Sequence, residues 1–388
     1  MLSQLNKIKN EIIEIRRHLH MAPELSFKEE KTALYITKYL HSLKNVQVHT
    51  NVGGNGIVAN INGNRKGKIV ALRADFDALP LLDEKDVPYK SKTPGVMHAC
   101  GHDGHTAALL GVCKVLSQNT HSFDGCVRFI FQHAEEVAPG GAISMVKAGC
   151  LNGVDAIFAT HLNAGVPVGQ YTYAYGATMA IADKFTITIK GKGGHGAAPH
   201  ETIDPIVASA NVVQNLQQIV SRRLSPLSQA VITVGQINAG TAFNIIADTC
   251  TIVGTVRTLS ESVQNTIISE IDKILKGMCK SSNTTYVYDY EKGYPATVNT
   301  RNETNLVVKS LTSIVSSKLV KEVRPSMGGE DFAYFLQKVP GCYFNTGAGN
   351  VLKGIIYPHH HPKFDIDEES LLYSSKGLLS IALNYLSK

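Results

Sequence analysis

The sequence predicts an α/β protein: a larger domain on a mostly parallel sheet, interrupted by an inserted ferredoxin-like α+β domain. Three observations carry this. Short apolar runs alternate with helical patterns through the first part of the chain, the signature of strands that pair in parallel across helical crossovers. From about residue 183 the pattern changes to half-buried alternation in the order β-α-β-β-α-β, the split ferredoxin-like arrangement. Residues with ligand chemistry fall just after predicted strands, where α/β sheets gather their ligands. The 388 residues favour two domains over one.

The elements follow in order. Leu5, Ile8, Ile12, Ile15 and Leu19 recur at helical spacing, which predicts an amphipathic helix over about 4–20. A second helix covers about 28–43. Strands follow at 56–61 and 68–74, the latter ending in Asp75 and Asp77. A small-residue helix runs from about 105 to 116, and 126–131 reads as a strand leading to Glu135 and Glu136. After a helix at about 140–149, the strand 156–160 ends at His161. In the insert, 184–190 alternates, and Asp204-Pro205 supplies an N-cap and first turn for a helix at about 204–222. Strands at about 229–237 and 248–258, a helix at 260–279 and a strand at 284–290 complete it. The expected boundaries are 1–182, 183–292 and 293–388. The last part carries helices at about 303–317 and 330–338, a strand at 342–345 and a final helix from about 367.

Bulk properties narrow the function. Hydrophobic residues make up 44% of the chain, yet no apolar run approaches the roughly 20 residues of a membrane span. The charged, amphipathic N-terminus is not a signal peptide. Seven cysteines without framework spacing predict free thiols and a reducing cytoplasm. The formal charge of +6 comes from dispersed basic residues with no aromatic-interleaved cluster, which argues against nucleic acid as a partner.

Residues 97–105 read Met-His-Ala-Cys-Gly-His-Asp-Gly-His. Cys100 and His102, one glycine apart, are both good ligands for a zinc-like ion. Glu135, Glu136 and His161 complete a set of thiolate, imidazole and paired carboxylates suited to metal-assisted hydrolysis. Each piece has a plainer reading. Cys100 could be a small buried apolar residue, His98, His102 and His105 satisfied histidines, and the glutamates a cap for the following helix. Three such segments at strand or turn ends together favour a metal site. Two other readings stay open: a cysteine hydrolase with Cys100 as nucleophile, and a non-catalytic metal-binding protein. Adjacent glutamates on an extended chain point opposite ways, so Glu135 and Glu136 cannot share one role. Asp103 reads as the N-cap of the helix at 105–116.

The segments 72–80, 97–107, 131–136, 191–200, 329–332 and 360–368 together resemble the co-catalytic metallopeptidase and amidohydrolase family, which includes hippurate hydrolase, N-acyl-amino-acid amidohydrolases and plant indole-acetyl-amino-acid hydrolases. The resemblance implies a catalytic domain with an inserted dimerisation domain, a homodimer, and hydrolysis of small N-acyl amino acids by a metal-bridging hydroxide. Dipeptidase and carboxypeptidase activities occur in the same family. Two divalent metal ions are implied, zinc or manganese, with cobalt or nickel admitted by mixed sulfur, nitrogen and oxygen donors. Their ligands match Cys100, His102, Glu136, His161 and one C-terminal histidine, placed at His360 by register against Pro362 and Phe364. Glu135 is then the general base, later the acid towards the leaving amine. Asp77 orients a ligand and raises its basicity, whereas Asp75 stands where related branches place a histidine. His195 is implied to hydrogen-bond the oxyanion across the dimer. Asn244 and Arg257 match positions facing the substrate. Arg257 suits an α-carboxylate, the alternative being a strand-surface arginine. Met327 and residues 328–331 are expected to line the pocket. The chain departs from the family pattern at His133, often proline, and at Gly196, often alanine.

Overall fold

The N-terminal helical periodicity is realised as two helices, α1 (Leu2–Lys7) and α2 (Lys9–Met21), broken at Ile8, whose φ of −102 and ψ of 11 leave helical geometry. Leu5, Ile12, Ile15 and Leu19 face the core as the spacing requires. There follow α3 (Glu30–Ser42), β1 (Gln47–His49), β2 (Ile57–Asn62) and β3 (Ile69–Asp75). Then come α4 (His102–Ser117), β4 (Cys126–Gln132), α5 (Gly141–Lys147), β5 (Ala156–Pro167), β6 (Tyr171–Tyr173) and β7 (Gly176–Met179). The structure is a computed structural model and describes residues 1–387.

Next in the chain are β8 (Ile181–Lys190), β9 (Gly194–His195), α6 (Pro205–Gln218), β10 (Ala230–Ala239), β11 (Ile245–Ile246), β12 (Thr249–Thr258), α7 (Glu261–Ser282) and β13 (Thr285–Tyr294). Four strands form an antiparallel sheet in the order β10-β12-β8-β13, the ferredoxin-like order. Phe185, Ile187 and Ile189 point inward from β8 onto Val212 and Leu216 of α6 and Ile267, Ile271 and Leu275 of α7. Full burial of such a side chain contributes about 1.5–3 kcal/mol. Asp183 shares that inward face, and its buried charge is met by Gln264, Tyr290 and the Gly293 amide. Asp204 caps α6 as expected, accepting from the amides of Ile206 and Val207.

The chain returns through β14 (Thr297–Asn299), α8 (Arg301–Thr312), β15 (Val320–Glu322), α9 (Ala333–Leu336), β16 (Gly341–Gly349) and α10 (Glu369–Leu386). The large sheet has the order β1-β2-β4-β3-β5-β16-β6-β15, and its central strands β4-β3-β5-β16 are mutually parallel. β1, β6 and β15 have three residues each, too few to show an alternation in sequence. Two boundaries differ from expectation at places that bear on the site. β5 continues to Pro167, so His161 lies within the strand. α4 begins at His102, so His102 and Asp103 belong to its first turn. The chain divides into two units. One is Met179–Ala296 with Ser326–Glu330; the other comprises Met1–Thr178, Thr297–Pro325 and the residues from Asp331 onward.

Candidate metal centre

Gly101 sets the local geometry of the 97–105 motif. Its φ of 94 is one a residue with a Cβ resists, and it ends the segment carrying Cys100 as α4 starts at His102. Cys100 and His102 thereby face one place from the two sides of a turn. β5 brings His161 beside them, with its Nε2 3.4 Å from the Cys100 Sγ. The turn after β4 brings both glutamates. His102 Nε2 lies 3.9 Å from an oxygen of Glu135 and 3.8 Å from Glu136 Oε1. His360, at φ 64 and held by its amide to the Ala99 carbonyl at 2.8 Å, puts Nε2 3.4 Å from the same Glu136 oxygen. Donor atoms of Cys100, His102 and His161, of Cys100, Glu136 and His360, and of His102, Glu135 and Glu136 form overlapping triads, each within 4.8 Å.

This donor set fits divalent cations. His102 Nε2 and Glu136 Oε1 are buried with no hydrogen-bond partner, an arrangement that costs about 1–3 kcal/mol per group unless something else satisfies them. Burial, then the Glu136, Glu135 and Asp75 carboxylates, push the Cys100 thiol well above its ordinary value. A cation among the same groups reverses the sign of that field. Burial also lowers His102, but Asp75, Asp77 and Glu136 outweigh it and raise the imidazole to about 10. His161, pushed well down by burial and by His105 and His359, is neutral with its free electron pair available. Asp77 sits behind His102: its Oδ1 is 3.2 Å and its carbonyl 3.0 Å from Nδ1, which turns Nε2 towards the cluster.

Other candidates resolve differently. His105 Nε2 accepts from the Leu162 amide at 2.9 Å, so Nδ1 carries the proton and donates to Asp75 at 2.6 Å. His105 therefore ties β5 next to His161 to the end of β3. Asp75 is bound to His105 and to the Arg73 guanidinium at 2.7 Å. His98 is a core histidine, lowered to about 4 by burial. Among the three C-terminal histidines, His359 accepts from the Ala164 amide at 3.3 Å. His361 accepts from the Lys363 amide and stacks on Tyr357. Asp103 is not the N-cap: it is buried inside the first turn, held by Arg16 at 2.8 Å and His20 at 2.7 Å. A buried guanidinium on α2 needs a counter-charge, and that need overrides the capping preference. The local signal for this pair is that Arg16 and His20 stand four apart on the face of α2 that also carries the apolar stripe. Gln132 donates to Asp331 at 2.7 Å and Arg73 reaches Asp331 at 3.1 Å, contacts between residues about 200 or more positions apart that no local pattern marks.

The remaining candidates lie in the inserted unit. His195 pairs with Ile245 in the β9–β11 ladder, and the Gly196 amide donates to the Asn244 carbonyl at 2.9 Å, so His195 and Asn244 are local neighbours. A Cβ at Gly196 would come within 2.9 Å of that carbonyl, so glycine suits the close approach here. Arg257 lies on β12, half-buried, with its guanidinium bonded to Thr255 and the Val256 carbonyl and its pKa lowered by burial.

A parallel sheet whose strands, turns and first helical turn gather thiol, imidazole and carboxylate donors within 4.8 Å of one another has the donor set of a metal-dependent hydrolase. A model of peptidase family M20/M25/M40 matches residues 71–384. The YhaA protein of Bacillus subtilis (strain 168) is 52% identical over 382 residues, covering 98% of this chain and 96% of its own. Thermostable carboxypeptidase 2 of Saccharolobus solfataricus is 42% identical over 389 residues, 100% of this chain and 98% of its own. The N-acyl-L-amino acid amidohydrolase of Geobacillus stearothermophilus is 45% identical over 295 residues, 76% and 80% of the two chains. The solved structure of the Bacillus subtilis YXEP protein, described as a dinuclear metal binding peptidase of the M20 family, superposes with a TM-score of 0.86 at 33% identity, covering 98% and 99%. The chain belongs to peptidase family M20/M25/M40 and is a metal-binding hydrolase of amide bonds.

Proposed function

We propose that the protein is a binuclear amidohydrolase that removes the acyl group from N-acyl amino acids. The observation that carries this reading is the set of overlapping donor triads containing Cys100, His102, Glu135, Glu136, His161 and His360. Cys100, His102, Glu136, His161 and His360 would hold two divalent ions, zinc or manganese. Such ions supply a nucleophile at neutral pH and polarise the scissile carbonyl. Glu135, beside the cluster and outside the ligand set, takes the proton of the attacking water and returns it to the leaving amine. Asp77 fixes the His102 tautomer. His195 donates to the oxyanion, Asn244 faces the substrate, and Arg257 pairs with its α-carboxylate. The name of the Geobacillus stearothermophilus relative supports the substrate class. We place the enzyme in the cytoplasm, consistent with its seven free cysteines, and read it as a homodimer.

The test is hydrolysis of hippurate and N-acetyl-methionine before chelation, after it, and after add-back of zinc, manganese, cobalt or nickel in turn. Activity should vanish and return. Release of C-terminal residues from blocked peptides, with N-acyl amino acids left intact, would replace this reading by a carboxypeptidase. Activity that survives chelation and yields to alkylation would make Cys100 the nucleophile.

A further inference from the structure

We infer that Glu29 is a positioning residue whose buried carboxylate aims Glu135; the inference rests on the reading of Glu135 as base. After β4 the chain must turn sharply to bring Glu135 and Glu136 to the cluster. The turn is made at Ala134, whose φ of 51 lies in the left-handed region that a Cβ disfavours. An alanine stays there only where its surroundings hold it. The Ala134 amide donates to Glu29 Oε1 at 2.8 Å. The same oxygen accepts from the amide of Phe27 at 2.9 Å, and Phe27 itself has φ 65. Asn55 Nδ2 donates to the other oxygen at 3.0 Å. Glu29 is 0% exposed, and its partners here are amides rather than a cation, a costly placement for a carboxylate that only sets a loop. Two residues on, the Glu136 amide donates to Asp77 Oδ2 at 3.0 Å, and that oxygen also accepts from Ser26 Oγ at 2.7 Å. Two carboxylates thus grip the amides on either side of Glu135, both tied to the segment 26–29. Asp77 serves the ligand Glu136, and Glu29 controls the turn from which Glu135 departs.

Displacement of a catalytic group by about 1 Å can cost about 10² in rate, so Glu29→Ala should lower kcat by about that factor. KM should move less than about threefold, the pattern of a lost transition-state contribution. Metal content should hold, and amide exchange over residues 132–137 should accelerate. The diagnostic variant is Glu29→Ala/Ala134→Gly. Glycine adopts the left-handed conformation without steric cost, so it should recover about tenfold or more of the lost kcat. Glu29→Gln retains the Oε1 acceptor and should stay within about fivefold of wild type. Unchanged kcat and exchange in Glu29→Ala, or a loss that glycine at 134 does not relieve, overturns the inference. If Glu29→Ala does not fold, Ala134→Gly is compared with the double variant. Similar kcat in those two supports the inference, and collapse of the double variant overturns it. Glu135→Ala, measured alongside, reports on the base assignment alone. Full activity there removes that reading, while exchange rates and the glycine rescue still decide whether Glu29 holds the turn.

Discussion

At the residue scale, adjacent glutamates of one turn are offered different work. On the proposed reading Glu136 is a ligand and Glu135 the base: Glu136 Oε1 lies 3.8 Å from His102 and 3.4 Å from His360, and an oxygen of Glu135 lies 3.9 Å from His102. Glu135→Ala should therefore keep its metal and lose about 10²–10⁴ in kcat, while Glu136→Ala should lose metal affinity. Elemental analysis of both variants separates the roles, and equal metal loss would show them wrongly divided. Cys100 gives a second residue-level expectation. A thiolate bound to a metal is shielded, so iodoacetamide should label Cys100 slowly in the loaded protein and readily after chelation. Mass-mapped labelling that ignores the chelator would remove Cys100 from the site. Among the three neighbouring C-terminal histidines, His360 is the one in the left-handed region, and its Nε2 lies 3.4 Å from Glu136 Oε1.

At the element scale, the site depends on how α4 is held. α2 packs closely on α4, where a Cβ at Gly111 would meet Ile12 Cδ1 at 2.6 Å. Arg16 of α2 reaches Asp103 in the first turn of α4 and Asp365 before α10. Arg16→Met should destabilise the protein by about 3–5 kcal/mol, because it takes the guanidinium from the buried Asp103 and from the partly buried Asp365. Urea unfolding checks the magnitude, and a second measurement checks the cause. Burial raises the Asp365 pKa, but Arg16 and Lys85 outweigh it and hold the group low. A lowered carboxylate contributes stability above its unfolded value of about 3.9, and that contribution is lost as pH falls through the folded value. The gap between wild type and Arg16→Met should thus be widest near neutrality and narrow in acid below about pH 3.9. A gap that does not change with pH would point to lost packing instead.

At the scale of the whole molecule, β10 and β13 are the edges of the inserted unit's sheet, and Val231 and Ile237 are exposed on β10. Free edges with apolar side chains invite pairing, and a two-fold dimer is the commonest outcome. If His195 serves the active site of the partner subunit, Glu135→Ala and His195→Ala chains, each inactive alone, should complement one another. Random reassortment of equal amounts gives about half mixed dimers, each with one intact site, so roughly a quarter of wild-type activity should return. Differently tagged chains establish that mixing has occurred. Mixed dimers that stay inactive would assign His195 to its own subunit.

Motif order and apolar periodicity by themselves determined the family, the parallel core of the large sheet, and the ferredoxin-like order of the insert. Those signals are local: a stretch such as Ile69–Asp75 or Ile181–Lys190 carries its burial pattern in its own residues. The same locality brought out Cys100, His102, Glu135, Glu136 and His161 as chemistry-bearing residues at strand and turn ends. Tertiary structure alone decided what joins them. The three-residue edge strands, the capture of Asp103 by Arg16, the tautomer of His105 and the grip of Glu29 on Ala134 depend on partners dozens to hundreds of positions away. A buried charge or a left-handed alanine is settled by whichever group arrives to satisfy it, and no window of neighbouring residues contains that information.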